Sequence, residues 1–217
     1  MLDRFQDRRE AGRVLAERLR EYAHDGNVLV LALPRGGVPV AYEIARSLEL
    51  PLDVFIVRKL GVPGYEELAM GAIASGGTRV VNDEVVNRLG ISERHINAAV
   101  AREQQEIERR ELEYRGDLPQ ARVQKRKIIL VDDGLATGAT MRAGVEALRE
   151  AGAAEIIVAV PVGSVEAVRR IGGQADAIIC PLQPEDFQAV GQWYDDFPQT
   201  SDEEVRELLA DSRHVQT

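Results

Sequence analysis

Cysteine is almost absent. Cys180 stands alone in 217 residues, so no internal disulfide framework can hold the fold, and on the apolar segment DAIIC it reads as a packed thiol. The three histidines, His24, His95 and His214, show no zinc-ligand spacing, so no protein-built metal cluster is expected. No run approaches the roughly 20 apolar residues of a membrane span, and the opening MLDRFQDRREAG has no apolar signal segment, so a cytoplasmic protein without membrane partners is expected. Basic residues are outnumbered 27 to 36, for a net charge of −9. That balance argues against a sequence-independent grip on nucleic acid, which depends on neutralising phosphates. Aromatics make up only 5% of the chain, with one tryptophan. No Ser/Gly-rich linker divides it, and the expectation is one domain over residues 1–217, with a helical insertion at 84–120 and a C-terminal cap at 181–217.

The chain does have apolar runs at regular intervals. NVLVLAL (27–33), LDVFIV (52–57), KIILVD (127–132), EIIVAV (155–160) and DAIIC (176–180) are short and nearly continuous in apolar content, as strands buried on both faces are. Helical spacing at 38–48, 139–151 and 164–171 separates them, and Phe5, Gly12, Leu15, Leu19 and Tyr22 share one face of an opening helix. The alternation predicts an α/β fold, a doubly wound, mostly parallel sheet flanked by helices. Ligands of such sheets sit beyond the carboxyl ends of the strands.

The run IILVDDGLATGATM (128–141) lies at such an end. A buried strand meets two adjacent carboxylates, Asp132 and Asp133, followed by a loop with little side-chain bulk and then a helix. Backbone N–H groups in such a turn converge beside the positive end of the helix dipole and favour a phosphate, with Thr137 and Thr140 as added donors. The carboxylates would repel a bare phosphate, so the ligand must also offer ribose hydroxyls or a metal ion. A sugar phosphate meets both demands. Two other strand-acid-loop motifs fail. A nucleotide P-loop needs Lys after its second glycine, where this chain has Ala139. A receiver domain needs a Lys at a later strand end, and no Lys follows Lys127.

The pattern resembles the phosphoribosyl-pyrophosphate signature of the type I phosphoribosyltransferases, and more broadly a bacterial phosphoribosyltransferase-domain group of unassigned substrate. The N-terminal FQDRREAG and a long helix are this chain's less general parts. The resemblance implies that Asp132 and Asp133 hold ribose hydroxyls and that Gly134, Leu135, Ala136, Thr137, Gly138, Ala139 and Thr140 fix the 5′-phosphate. Pro34-Arg35-Gly36-Gly37, after the first strand, looks like the family's pyrophosphate loop, where a non-proline cis peptide is usual. Taken alone, an Arg-Gly-Gly turn is more often only a turn. Arg58 and Lys59, the latter one of three lysines, close LDVFIV and are implied near the pyrophosphate or its metal. The glycines at 61, 64, 71, 76 and 77 bracket two alternating segments and predict a mobile hairpin, with Gly64, Tyr65, Glu66 and Glu67 in or near a lid.

Residues 92–116 predict a charged helix capped by Ser92, with Val100, Ile107 and Tyr114 as a narrow apolar stripe laid against its own domain or a dimer partner. Phe187, Trp193, Tyr194 and Phe197 either stack on a heterocycle or pack a C-terminal cap. FQAVGQWYDDF is similar to the region after the last strand of purine phosphoribosyltransferases, which implies base-site roles for Val190, Gly191 and Asp195, with Trp193 as a stacking candidate.

The resemblance thus implies an enzyme of nucleotide metabolism. A nitrogenous base, with a purine preferred, displaces pyrophosphate from phosphoribosyl pyrophosphate, and Asp132, Asp133, Arg35 and Lys59 are the catalytic candidates. Mg²⁺ is the expected cofactor, carried by the substrate near Asp132 and Asp133, and a homodimer is the expected assembly. The rival reading is a non-catalytic sensor that binds phosphoribosyl pyrophosphate. Asp133→Asn is expected to weaken binding or turnover tenfold or more with little change in melting temperature.

Overall fold

The computed structural model describes residues 3–214, with the side chain of His214 outside the description. Helix α1 (Arg8–Arg18) is capped by Asp7, whose carboxylate accepts from Glu10 N–H, and it leads through a 3-10 turn at Arg20–Tyr22 into strand β1 (Val28–Ala32). Phe5 lies before this helix and not on it, because Asp7 sets the helix start and Phe5 bridges to Tyr194. Helix α2 (Gly37–Leu48) and strand β2 (Leu52–Val54) follow. Then come strands β3 (Val57–Val62), β4 (Tyr65–Ala74) and β5 (Arg79–Val81) and helices α3 (Asp83–Leu89) and α4 (Glu93–Arg115). The remainder alternates as β6 (Lys127–Val131), α5 (Ala139–Glu150), β7 (Glu155–Ala159), α6 (Val165–Gly172) and β8 (Ala177–Ile179), and ends in α7 (Asp202–His214).

Five strands form a parallel sheet in the order β2-β1-β6-β7-β8. Their side chains alternate between two cores. Val28, Val30, Ile129 and Val131 face α1, α2 and α7, while Leu29, Leu31, Ile128 and Leu130 face α5 and α6. Burial on both faces is why the strands read as continuous apolar runs. The expected α/β architecture is present.

LDVFIV differs from its expectation. The parallel strand stops at Val54, and Val57 opens an antiparallel three-stranded sheet in the order β3-β4-β5. Phe55 and Ile56 are buried in opposite cores; the Phe55 N–H still donates to Ala32 O on β1 at 2.9 Å, and the Ile56 N–H leaves the parallel ladder for Ser75 Oγ at 2.9 Å. Arg58 and Lys59 therefore lie inside the antiparallel sheet and not at the end of a parallel strand. The expected hairpin has a third strand.

Helix α4 starts as expected, with the Ser92 hydroxyl accepting from His95 N–H. Its buried positions are Ile96, Ala99, Glu103, Ile107, Tyr114 and Arg115, a wider stripe than the seven-residue repeat, and Val100 is only partly buried. That face packs against β3, β4 and α7 of its own chain. Among the described residues no helix is long and apolar enough to cross a membrane.

Candidate functional site

Strands β1 and β6 are neighbours, yet the chain leaves β1 toward β2 on one side and β6 toward β7 on the other. That reversal opens a crevice beyond their carboxyl ends. The loop after β1 carries Arg35, Gly36 and Gly37, and its Pro34–Arg35 peptide bond is cis, as the resemblance implied. The loop after β6 carries Asp132 and Asp133. The two loops touch closely enough to require glycine. A Cβ on Gly36 would lie 2.0 Å from Asp133 Oδ2, and one on Gly37 would lie 2.7 Å from Val131 O.

The acids differ in their partners. Asp132 Oδ1 accepts from Asp133 N–H at 2.9 Å. Asp133 Oδ2 accepts from Arg8, whose Nε and Nη2 both lie 2.9 Å away, and Asp133 O accepts from the Tyr194 hydroxyl at 2.6 Å. Burial pushes the Asp132 carboxyl well above the usual carboxylate range, and the charge of Asp133 adds to the shift. Burial also raises Asp133, and Arg8 opposes that rise without cancelling it.

The loop from Gly134 to Thr140 is only partly open to a ligand. The amides of Ala136, Thr137 and Gly138 have no hydrogen-bond partner among the described residues, and they lie before the first turn of α5. Thr137 and Thr140 are exposed. Ala139 N–H faces Thr137 Oγ1 at a long 3.4 Å. Leu135 departs from its expected role. Its side chain is buried, and its amide donates to Val162 O at 2.9 Å, so it anchors the loop and has no N–H to offer. Gly37 departs likewise, since its amide donates to Leu33 O at 3.1 Å, whereas Gly36 N–H is unpartnered among the described residues. Gly134 is pressed against the C-terminal segment, where a Cβ would lie 2.4 Å from Val190 Cγ1.

Of the expected cations, Arg35 and Arg58 are held by carboxylates. Arg35 Nη1 is 3.5 Å from Asp202 Oδ2 at the start of α7, and Tyr114 donates to the other oxygen of Asp202 at 2.6 Å. Arg58 Nε and Nη2 are both 2.9 Å from Glu103 Oε2 on α4. Arg58, Lys59, Glu66, Glu67 and Thr140 line one cleft of about 390 Å³, so the start of α5 and β3 share a space. Tyr65, at the hairpin tip, is 75% exposed and is not brought to the acids. Trp193 closes a 3-10 turn, Val190–Trp193, and lines a separate cleft of about 310 Å³ with Arg4, Asp186, Gln188 and Tyr194. Asp195 is exposed, and its amide donates to Phe5 O. Cys180 is a packed thiol as expected: burial pushes it up to about 12, and its Sγ donates to Leu182 O.

The sequence pattern of the phosphoribosyl transferase domain matches residues 2–178. The chain belongs to the phosphoribosyltransferase family. Proteins from two strains of Mycobacterium tuberculosis, provisionally named phosphoribosyl transferases, are 46% identical over 205 residues. That alignment covers 94% of this chain and 46% of each relative, so the chain spans about half the length of the relatives it matches. The crystal structure of TT1426 from Thermus thermophilus superposes with a TM-score of 0.85 at 41% identity, covering 96% of this chain and 98% of that one.

Within this phosphoribosyltransferase fold, the residue that sequence reasoning missed is Arg8, whereas Tyr194 and Phe197, expected to stack on a heterocycle or pack a C-terminal cap, pack together. The Arg8 guanidinium lies 3.7 Å over the Phe197 ring, and Phe197 stacks on Tyr194 with centroids 4.8 Å apart. FQDRREAG stands out in the sequence, but nothing local pairs its arginine with an acid 125 positions away. The Gly36 contact yields a direct expectation. Gly36→Ala drives a methyl group into a carboxylate that Arg8 holds in place, and such overpacking costs about 1–3 kcal/mol. A fall of several degrees in calorimetric melting temperature is expected, and an unchanged melting curve would show that the two loops separate freely.

Proposed function

We propose that this phosphoribosyltransferase-family protein transfers phosphoribose from phosphoribosyl pyrophosphate to a nitrogen of a base. The bond from C1 to the pyrophosphate oxygen breaks and its electron pair leaves with pyrophosphate. The acceptor nitrogen bonds C1 and gives its proton to solvent. One observation carries the reading: two partly buried acids and a loop with unpartnered amides before a helix lie together at the sheet's topological switch point.

In this reading Asp132 and Asp133 accept from the ribose hydroxyls and favour positive charge on the ring. Ala136, Thr137, Gly138 and Thr140 take the 5′-phosphate through amides and hydroxyls. Arg35, Gly36 N–H, Arg58 and Lys59 take charge on the leaving pyrophosphate, once the ligand draws Arg35 from Asp202 and Arg58 from Glu103. The protein mainly positions and stabilises charge. The described residues contain no group of three or more His, Cys, Asp or Glu side chains able to hold a metal, and Asp133 already has a cationic partner in Arg8. Mg²⁺ therefore fits as part of the substrate, chelated by its pyrophosphate, and not as a resident ion. A cytoplasmic homodimer acting in nucleotide metabolism, with a purine as the first acceptor to try, completes the proposal.

Calorimetric titration of phosphoribosyl pyrophosphate, with and without Mg²⁺, tests it. Mg²⁺-dependent binding in the micromolar range is expected, followed by pyrophosphate release with one of the purines. No binding at millimolar ligand overturns the reading. Binding without turnover on any base leaves a sensor of phosphoribosyl pyrophosphate.

A further inference from the structure

The segment FQDRREAG has no part in the chemistry above, yet its backbone is fixed on both sides of Arg8. Phe5 is wholly buried, with its ring centroid 5.6 Å from that of Tyr194, and its amide donates to Trp193 O at 2.9 Å. Asp7 caps α1 by accepting from Glu10 N–H at 2.7 Å. Between these anchors, Arg8 is 9% exposed and every guanidinium nitrogen has a partner: Nε and Nη2 on Asp133 Oδ2, and Nη1 on Pro198 O at 2.7 Å.

A staple between the N- and C-terminal segments does not need this arginine, since Phe5 and Tyr194 already join them. The acid pair does need it. Two adjacent, partly buried carboxylates repel each other, and Arg8 is the cation in contact with one of them, Asp133. Both of its contacts go to Oδ2, which leaves Oδ1 outside the ion pair.

We propose that Arg8 is a positioning residue of the ribose site. It holds Asp133 by Oδ2 so that Oδ1 serves a ribose hydroxyl, and through Pro198 and Phe197 it ties the C-terminal segment to that acid. The inference rests on the phosphoribosyl reading given above. Residues 5–8 thereby acquire separate tasks: Phe5 anchors, Asp7 caps, and Arg8 orients the acid.

The test is a double-mutant cycle read by calorimetry on the full chain, with Mg²⁺-phosphoribosyl pyrophosphate and Mg²⁺-pyrophosphate as the two ligands. Arg8→Gln is expected to weaken phosphoribosyl pyrophosphate binding tenfold or more and pyrophosphate, which has no ribose, by less than twofold. Arg8→Lys recovers part of the loss. In an Asp133→Asn background Arg8→Gln costs nothing further. Equal losses for both ligands, or the same loss with and without Asp133, overturn the proposal and make Arg8 a plain structural staple. Should Arg8→Gln fail to fold, Arg8→Lys carries the same cycle with a smaller expected loss. Failure of the unsubstituted protein to bind phosphoribosyl pyrophosphate overturns the phosphoribosyl reading itself, and this inference falls with it.

Discussion

Asp132→Asn is expected to lower affinity for phosphoribosyl pyrophosphate by one to two orders of magnitude while the melting temperature at neutral pH holds or rises. The loss follows from hydrogen bonds to a charged group, worth about 1.5–3 kcal/mol each, or roughly 10- to 150-fold in affinity. The gain in stability follows from the shifted carboxyl. Asp132 is partly buried beside Asp133 with no cation in contact with it, and its ionised form is disfavoured in the folded chain. In the unfolded chain it releases its proton near the ordinary 3.8, and in the folded chain only at a higher pH. Between the two values the folded state holds the extra proton, so stability declines as pH rises through that window and stays reduced above it. Asparagine removes this dependence on pH. The variant should therefore lose part of the acid-side stabilisation that the parent shows, and scanning calorimetry at successive pH values upward from the ordinary 3.8 reads this directly. A large fall in melting temperature with unchanged affinity would make Asp132 a structural residue and remove it from the site.

Asp133→Asn should behave differently, contrary to what the sequence suggests. Asp133 is the partner of a buried guanidinium, and removing one member of such a pair is costly because the other is left uncompensated. Two adjacent acids of identical type thus differ: the charge of Asp132 has no cation in contact with it, and that of Asp133 is offset in part by Arg8.

That division shows where the legibility of the sequence ends. The crevice was readable because each component is local: a buried strand, then two acids, then a loop without bulk. Gly36 and Gly37 were readable as residues that let backbones approach. Whether an amide within such a loop is free depends on what lies across from it, and residue identity does not carry that. Leu135 N–H is taken by Val162 and Gly37 N–H by Leu33, while the amides of Ala136 and Gly36 beside them are unpartnered among the described residues. The break in LDVFIV was hidden for a related reason. Leu52, Val54 and Ile56 serve one core and Phe55 the other, so apolar content is continuous through a point where the chain changes sheets. The aromatic cluster was legible as a cap, but not that Phe197 would carry Arg8. Arg58 and Lys59 were visible as cations, whereas Glu103, which holds Arg58, sits on a helix whose charged face looks uniformly solvated in sequence.

The same long helix carries the largest expected effect on stability. Asp53→Ala should cost about 3–5 kcal/mol, because it removes one of the two carboxylates, Asp53 and Glu111, that pair with a buried arginine and also takes the acceptor from the N–H groups of Val54 and Ala121. Arg115 ends α4 with its Nε 2.9 Å from Asp53 Oδ1, and both side chains are almost fully excluded from solvent, at 4% and 6% exposure. Asp53 lies on β2, the edge of the parallel sheet, where its Oδ2 also accepts from Ala121 N–H at 3.0 Å and its Oδ1 from Val54 N–H at 2.8 Å. One carboxylate thus closes the sheet edge, fixes the end of α4 and anchors the link toward β6. For a chain of this size about 2–4 °C is lost per kcal/mol, so a drop in melting temperature of about 6–20 °C is expected. Replacing both partners by apolar residues, Asp53→Leu with Arg115→Met, should recover much of the ion-pair cost, since no buried charge is left unmatched. Recovery stays incomplete because Ala121 N–H still lacks its acceptor. Asp53 pairs with Leu31, one residue short of the end of β1, and makes no contact with the acid pair, so affinity for phosphoribosyl pyrophosphate at 25 °C should stay within twofold of the parent. A melting shift under 2 °C would mean that water reaches Arg115 once the carboxylate is gone, and that α4 is held to the sheet by its apolar face alone.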